Sequence, residues 1–339
     1  MMRHVVRTKS ERPEPALSHP ALPAAFRPFP NPFAHRLFAR GIAVTGLALA
    51  LSGCQGVLSP AGPIADQQRT ILLDSVVIML CIVVPVCIAA LAFAYWFRAD
   101  NPKARRDPTF VFSGKIELVV WSTPALVIAF LGSIAWMGSH ALDPYAPIAP
   151  PEETMVVQVV ATDWKWLFIY PEEGVASVNR LVVPADKAIR FRITSSTVMN
   201  AFFVPRLGSM IYAMNGMETT LHLAGREGTY RGISANFSGD GFAGMSFQVE
   251  AVPQAKFDAW VSETKGVDKP LDAETFTAFA QPSQKVEPFV FGSVDGGLFD
   301  RIVSQDIPPI YSGRENEGLP PPQEASNIPA TDRHVTYAR

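Results

Sequence analysis

Apolar positions divide this chain sharply. Three apolar stretches fall in its first 140 residues, and alternating short runs follow. The first stretch, Gly41–Gly53, is too short to cross a hydrocarbon core of roughly 30 Å. It follows Arg36 and Arg40 and ends in small residues before a cysteine, the pattern of an export signal. The second, Ile71–Phe97, and the third, Ile116–Met137, are long enough to span. Pro85 interrupts the second, which a membrane helix tolerates where neighbours re-satisfy the freed carbonyl. Tyr95, Trp96 and Phe97 close it with an aromatic belt.

From Met155 the period shortens. Met155–Thr162, Lys165–Tyr170, Arg180–Val183, Ala188–Thr194, Ala201–Val204, Thr219–Leu223, Thr229–Ile233 and Met245–Val252 read as strands. Pro171–Gly174, Pro184–Asp186 and Gly225–Gly228 read as turns between them. Short strands at this spacing predict an antiparallel sandwich with Greek-key connections. Gln254–Thr264, Ala273–Ala280 and Leu298–Ser304 read as helices, with Asp272 the N-cap of the middle one. The expected organisation is an export signal over 1–53, an outer segment over 54–70, a helix hairpin over 71–140, a sandwich over 150–253, a helical subdomain over 254–304 and a disordered tail over 305–339.

Charge fixes the topology. Arg98, Lys103, Arg105, Arg106 and Lys115 crowd the loop between the two spans, whereas the opposite flanks hold little positive charge. By the positive-inside rule the loop is cytoplasmic, and everything after residue 140 is outside. Leu51-Ser52-Gly53-Cys54 matches the bacterial lipobox, so Cys54 is expected to carry lipid and to begin the mature chain. That signal also requires export, and the two agree. Residues 1–35 are proline-rich and build no core; either translation starts downstream or the signal has a long basic lead. The net charge of −2 gives no pointer to nucleic acid.

Composition restricts the chemistry of the exported part. The three cysteines are Cys54, Cys81 and Cys87, the last two within the first span, where they read as buried apolar thiols. His222 is the only histidine between residue 150 and the tail, and its alternating surroundings make it a satisfied strand residue. Met199, Met210, Met214, Met217 and Met245 read as core and loop filler. With no thiolate and one imidazole, this part lacks the soft donors copper selects.

The order of parts resembles the haem-copper oxidase subunit II family, a membrane hairpin followed by a cupredoxin-like domain. Residues 232–247, Gly-Ile-Ser-Ala-Asn-Phe-Ser-Gly-Asp-Gly-Phe-Ala-Gly-Met-Ser-Phe, resemble its copper-ligand loop, Cys-x-x-x-Cys-x-x-x-His-x-x-Met. Ser234 and Ser238 stand at the cysteine positions, Phe242 at the histidine, and only Met245 is retained. Asn236 lies between the two serines, and Asn200 takes the place of the upstream histidine. Lys115–Trp121 with Pro124, Asp163–Glu172 and Phe202–Ser209 are similar to the bo-type ubiquinol oxidase branch in particular.

The resemblance implies an α+β membrane protein: a two-helix hairpin, an all-β cupredoxin-like Greek-key sandwich and C-terminal helices. It implies a bacterial inner-membrane subunit with a periplasmic domain, holding no redox cofactor. Haem, copper and ubiquinone would belong to subunit I, with subunits III and IV and membrane lipid as further partners and no cytochrome c. The matching glutamate of the family stands at the mouth of a proton channel, which makes Glu117 the proton-entry candidate; otherwise it is an interfacial charge facing Lys115 or the loop. Asp74 reads as an interfacial charge, and Trp164 and Trp166 as packing residues. Two other functions stay open: a cytochrome c oxidase subunit with an unorthodox copper site, and a tethered lipoprotein whose degenerate cupredoxin domain is a binding module.

Overall fold

A computed structural model of the protein describes residues 56–105 and 107–309. The export signal, Cys54 and the chain beyond Pro309 lie outside the described residues. Two long helices come first, α1 (Pro63–Trp96) and α2 (Gly114–Ala141). Both are long and apolar enough to cross a membrane. Their apolar side chains are largely exposed along their length, as expected when lipid or partner helices supply the missing cover. Cys81 and Cys87, expected to be buried, are exposed too, because two helices alone cannot enclose a side chain from all sides.

α1 starts at Pro63 rather than Ile71, and the added turns dock on the outer domain. Ala61 and Ala65 are buried there. The Ala61 amide donates to the Arg206 carbonyl (2.7 Å), and the Arg226 amide donates to the Ala61 carbonyl (2.9 Å). Arg226 pairs with Asp66 at 2.5 Å, and Gln68 donates to Ser209. Gly62 is required for this approach, since a Cβ there would lie 2.1 Å from the Ala224 carbonyl oxygen.

The outer domain pairs two sheets. Sheet A contains β1 (Met155–Thr162), β2 (Lys165–Tyr170), β3 (Val175–Val178), β5 (Ile189–Ser195), β8 (Thr219–Leu223) and β12 (Phe289–Phe291), ordered β12-β3-β2-β1-β5-β8. Sheet B contains β4 (Arg180–Pro184), β6 (Asn200–Phe203), β7 (Ile211–Ala213), β9 (Gly228–Ser234) and β10 (Ser246–Val252), ordered β4-β10-β9-β6-β7. The expected all-antiparallel pairing is corrected at two places: β1 runs parallel to β5, and β10 parallel to β4. Each parallel pair joins strands separated by other strands in the chain, as a Greek-key wrap demands. Trp166, Phe168, Phe191, Phe202 and Phe247 fill the space between the sheets. Phe202 and Phe247 stack there at 5.2 Å.

Over β2 and β3, sheet A is dry on its other face as well. Val160, Leu167, Ile169 and Val178 pack under a second core of Leu271, Phe276, Phe291, Leu298 and Ile302. α4 (Ala273–Ala280), α5 (Leu298–Val303) and β12 supply those residues apart from Leu271, while α3 (Gln254–Lys265) closes an edge of the first core. A short pair, β11 (Pro270–Leu271) with β13 (Ser293–Val294), braces this cover. Asp272 caps α4 by accepting from the Thr275 amide at 2.8 Å, as its place in the sequence predicts. The ordered chain runs past the expected boundary at 305, because Gln305 bonds Asn215 and the apolar Ile307 is buried in the second core.

Two polar side chains fasten this cover. Lys165, buried at 1 % exposure, donates from Nζ to the Gln281 carbonyl (2.7 Å) and the Ser283 hydroxyl (2.6 Å), over the Phe279 ring. Asn179 accepts from the Trp166 amide and donates to the Val286 carbonyl, each at 2.8 Å. Burial pulls the Lys165 ammonium down to about 8, against a partly opposing pull from Asp163. An unfolded lysine holds its proton to near 10.5. Between these values the unfolded chain binds more protons, so stability rises with pH; below 8 both states are protonated and the contribution is flat. Thermal unfolding of the full chain in detergent should show stability gained from pH 8 to 10, by at most ~1.4 kcal/mol per pH unit. The same rise in Lys165→Met would refute the assignment.

Candidate functional site

The loop between β9 and β10 meets the start of β6 at one end of sheet B. This brings together four of the positions that the resemblance assigns to copper ligands. The Ser234 hydroxyl donates to Asn200 Oδ1 at 3.1 Å, and Asn200 is fully buried. The Ser238 hydroxyl lies 3.9 Å from the Met245 sulfur, itself buried. Asn236 closes the loop by donating to the Met199 and Phe237 carbonyls. Phe242 turns outward and meets the Phe237 ring edge-on at 5.6 Å.

The donor set here is one carboxamide, two hydroxyls and one thioether. Serine hydroxyls stay protonated near neutral pH, a phenyl ring offers no lone pair, and nothing replaces the bridging thiolates. The residues do not fit a binuclear copper centre. The hydrogen-bonding capacity is instead spent inside the loop, as buried polar groups require. No cluster of three or more His, Cys, Asp or Glu side chains gathers elsewhere among the described residues.

Trp164 holds this loop from the other sheet. Asp163 and Trp164 form the two-residue turn between β1 and β2, with Thr162 paired to Lys165. Trp164 takes φ 68°, uncommon for a bulky residue, as so short a turn requires. Its indole nitrogen donates to the Ser238 carbonyl at 2.9 Å. A Cβ at Gly241 would lie 2.3 Å from the indole ring, so glycine is needed there. Trp166 lies wholly in the first core. Both tryptophans therefore pack.

Beside the loop, Val198, Met199 and Phe237 are exposed apolar side chains. Glu117 is remote from the loop, in the first turn of α2 and exposed. No cation among the described residues lies within ion-pair distance of Glu117. Asp74 is likewise exposed, facing a shallow cleft beside Met137 and Gly138. His222 lies in strand β8, its Nδ1 at 3.1 Å from the Pro144 carbonyl oxygen, which fixes Nδ1 as a donor.

Comparison with known proteins adds the decisive observation. Residues 172–252 match the family "Cytochrome C oxidase subunit II, periplasmic domain", and residues 265–306 match the "COX Aromatic Rich Motif". The "Cytochrome bo(3) ubiquinol oxidase subunit 2" of Pseudomonas aeruginosa is 44 % identical over 76 % of this chain and 78 % of that protein. The "Ubiquinol oxidase subunit 2" of Acetobacter aceti is 45 % identical over 80 % of this chain and 90 % of its own length. This chain belongs to the ubiquinol oxidase subunit II family. The "Quinol oxidase subunit 2" of Bacillus cereus is similar at 35 % identity, over 70 % of this chain and 83 % of that one.

For a ubiquinol oxidase subunit II, the aromatic-rich match coincides with the cover over sheet A, where Phe276, Phe279, Phe289 and Phe291 interlock. Two features escaped the sequence reading. The socket around Ala61 left only a run of small residues, Pro60-Ala61-Gly62-Pro63, as its signal. The pairing of Trp164 with Gly241 joins residues on different sheets, and no local pattern announces it.

Proposed function

We propose that this chain is the non-redox subunit II of a proton-pumping terminal ubiquinol oxidase, in which quinol oxidation is coupled to oxygen reduction. The observation that carries the reading is the hydrogen-bonded loop of Asn200, Ser234, Ser238 and Met245, set in a chain whose relatives are ubiquinol oxidase subunits. A lipid-soluble donor reaches subunit I within the bilayer and needs no relay in the outer domain. The haems, copper and quinone then belong to subunit I. Subunits III and IV complete the complex, and the sandwich is a periplasmic structural part. The purified complex should oxidise ubiquinol, leave reduced cytochrome c untouched and show no near-infrared thiolate–copper absorption from this subunit. Turnover with cytochrome c would overturn the reading.

Glu117 is proposed as the proton-entry carboxylate. Its support is its place at the cytoplasmic end of α2, exposed and without a cationic partner among the described residues. An ionisable group at such a site is a functional candidate by default. Glu117→Gln keeps size and hydrogen bonding but cannot exchange protons. Quinol oxidase activity per haem should fall by about several-fold, at the mild end of acid–base deletions, because an entrance can be bypassed by water. Unchanged activity across the working pH range would return Glu117 to an interfacial charge.

Cys54 is proposed as a lipid-bearing N-terminus of an inner-membrane subunit crossing twice, supported by the lipobox and the charge asymmetry of the hairpin. Mass spectrometry of the native subunit should find a diacylglyceryl cysteine and no peptide from residues 1–53. A mature chain that keeps those residues would refute it. Assembly should survive Cys54→Ser, since two membrane helices hold far more firmly than acyl chains.

A further inference from the structure

The outer face of β5 carries two arginines side by side, and they are treated very differently. Arg192 is bound bidentately by Glu218 (2.8 and 2.6 Å), contacts Asp300 at 3.0 Å and lies over the Phe299 ring. Arg190 is exposed and has no carboxylate partner among the described residues. It stands directly across from His222 on β8 and beside Val156 on β1. These three line a cavity of about 350 Å³ together with Tyr145, Pro147 and Thr220.

The cavity is rich in polar groups with nothing to serve. His222 is buried at 8 % exposure and donates from Nδ1 to the Pro144 carbonyl, which leaves Nε2 an acceptor without a hydrogen-bonding partner among the described residues. The Tyr145 and Thr220 hydroxyls make no hydrogen bond among the described residues, whereas Asp143 is taken up by the Tyr145 amide at 3.0 Å. A guanidinium and two hydroxyls facing one space suit an oxyanion of phosphate geometry, and the Nε2 lone pair beside them suits a headgroup hydroxyl.

Position narrows the choice of phosphate. α2 ends at Ala141, and Tyr145 follows within about 14 Å of extended chain. The Pro144 carbonyl also accepts the His222 amide at 3.2 Å, which clamps the membrane exit onto this wall of the sandwich. An exposed tyrosine at that level is the side chain expected among headgroups. Pro147 and Val156 add an apolar wall for a glycerol backbone.

We propose that Arg190, with Tyr145 and Thr220, binds the phosphate of an outer-leaflet phospholipid, and that His222 Nε2 accepts from a hydroxyl of its headgroup. The proposal rests on α2 being a membrane span, as in the functional reading above. Native mass spectrometry of the whole oxidase after detergent exchange, with added phosphatidylglycerol, tests it. The wild-type complex should retain lipid that the Arg190→Gln, His222→Gln complex binds about tenfold more weakly, the loss expected on removing a charge-assisted contact. Arg190→Lys, which keeps the charge, should lose less. Equal retention by the wild type and the double variant overturns the proposal, as does displacement of the lipid by inorganic phosphate. Loss of a protein subunit at unchanged lipid content overturns it in favour of a protein carboxylate. Quinol oxidase activity of the same preparations reports separately on the functional reading.

Discussion

A sheet buried on both faces is the constraint on which the outer domain depends. β2 exposes none of its side chains and β1 only part of Val156, so polar groups there depend on internal partners, and the Trp166 indole nitrogen is left with none among the described residues. Sheet B covers one face of sheet A, and the aromatic-rich cover the other. Between the covers, Lys165 and Asn179 reach outward from sheet A and bond carbonyls at residues 281 and 286. A charged lysine in so dry a place costs stability, yet its three donors satisfy a carbonyl and a hydroxyl that the cover could not satisfy alone. Lys165 therefore works more as a register pin than as a source of net stability.

That architecture explains how the loop at residues 234–245 stands without metal. In a fold that needs its metal, loss of the ligands removes folding energy. Here the loop is held by covalent neighbours β9 and β10, by the Ser234–Asn200 bond and by Trp164 clasping Gly241 from sheet A. Trp164 itself sits in a left-handed turn, a local strain of the kind that persists only when surroundings over-determine it. Those surroundings are the Ser238 carbonyl and the glycines that make room for the ring.

The sequence revealed most where one residue's neighbours are its chain neighbours. β1, β8 and α4 were legible to the residue, because alternation, helical period and the Asp272 cap are local. β3 and β12 were not, since each is short and becomes a strand only by joining the edge of sheet A. The two parallel pairings were equally hidden, because register between distant segments leaves no periodic trace. Of the candidate site, the exchanged ligand positions could be read from spacing, and the structure brings Asn200, Ser234, Ser238 and Met245 together. Their mutual hydrogen bonds, and the unbalanced Arg190 beside a balanced Arg192, depend on packing alone.

The socket around Ala61 links the membrane part to this frame. A flexible linker would let the sandwich tilt over the bilayer, but α1 runs into the domain with two backbone hydrogen bonds, the Asp66–Arg226 pair and a glycine tight against Ala224. At the other exit, Pro144 is bound by both the amide and the ring of His222. Each end of the hairpin is thus tied to a different strand region, one near β6 and β9 and one at β8. Two ties at separate points remove rotations that a single tie would allow. The loop of residues 234–245 is then held at a defined orientation to the helices.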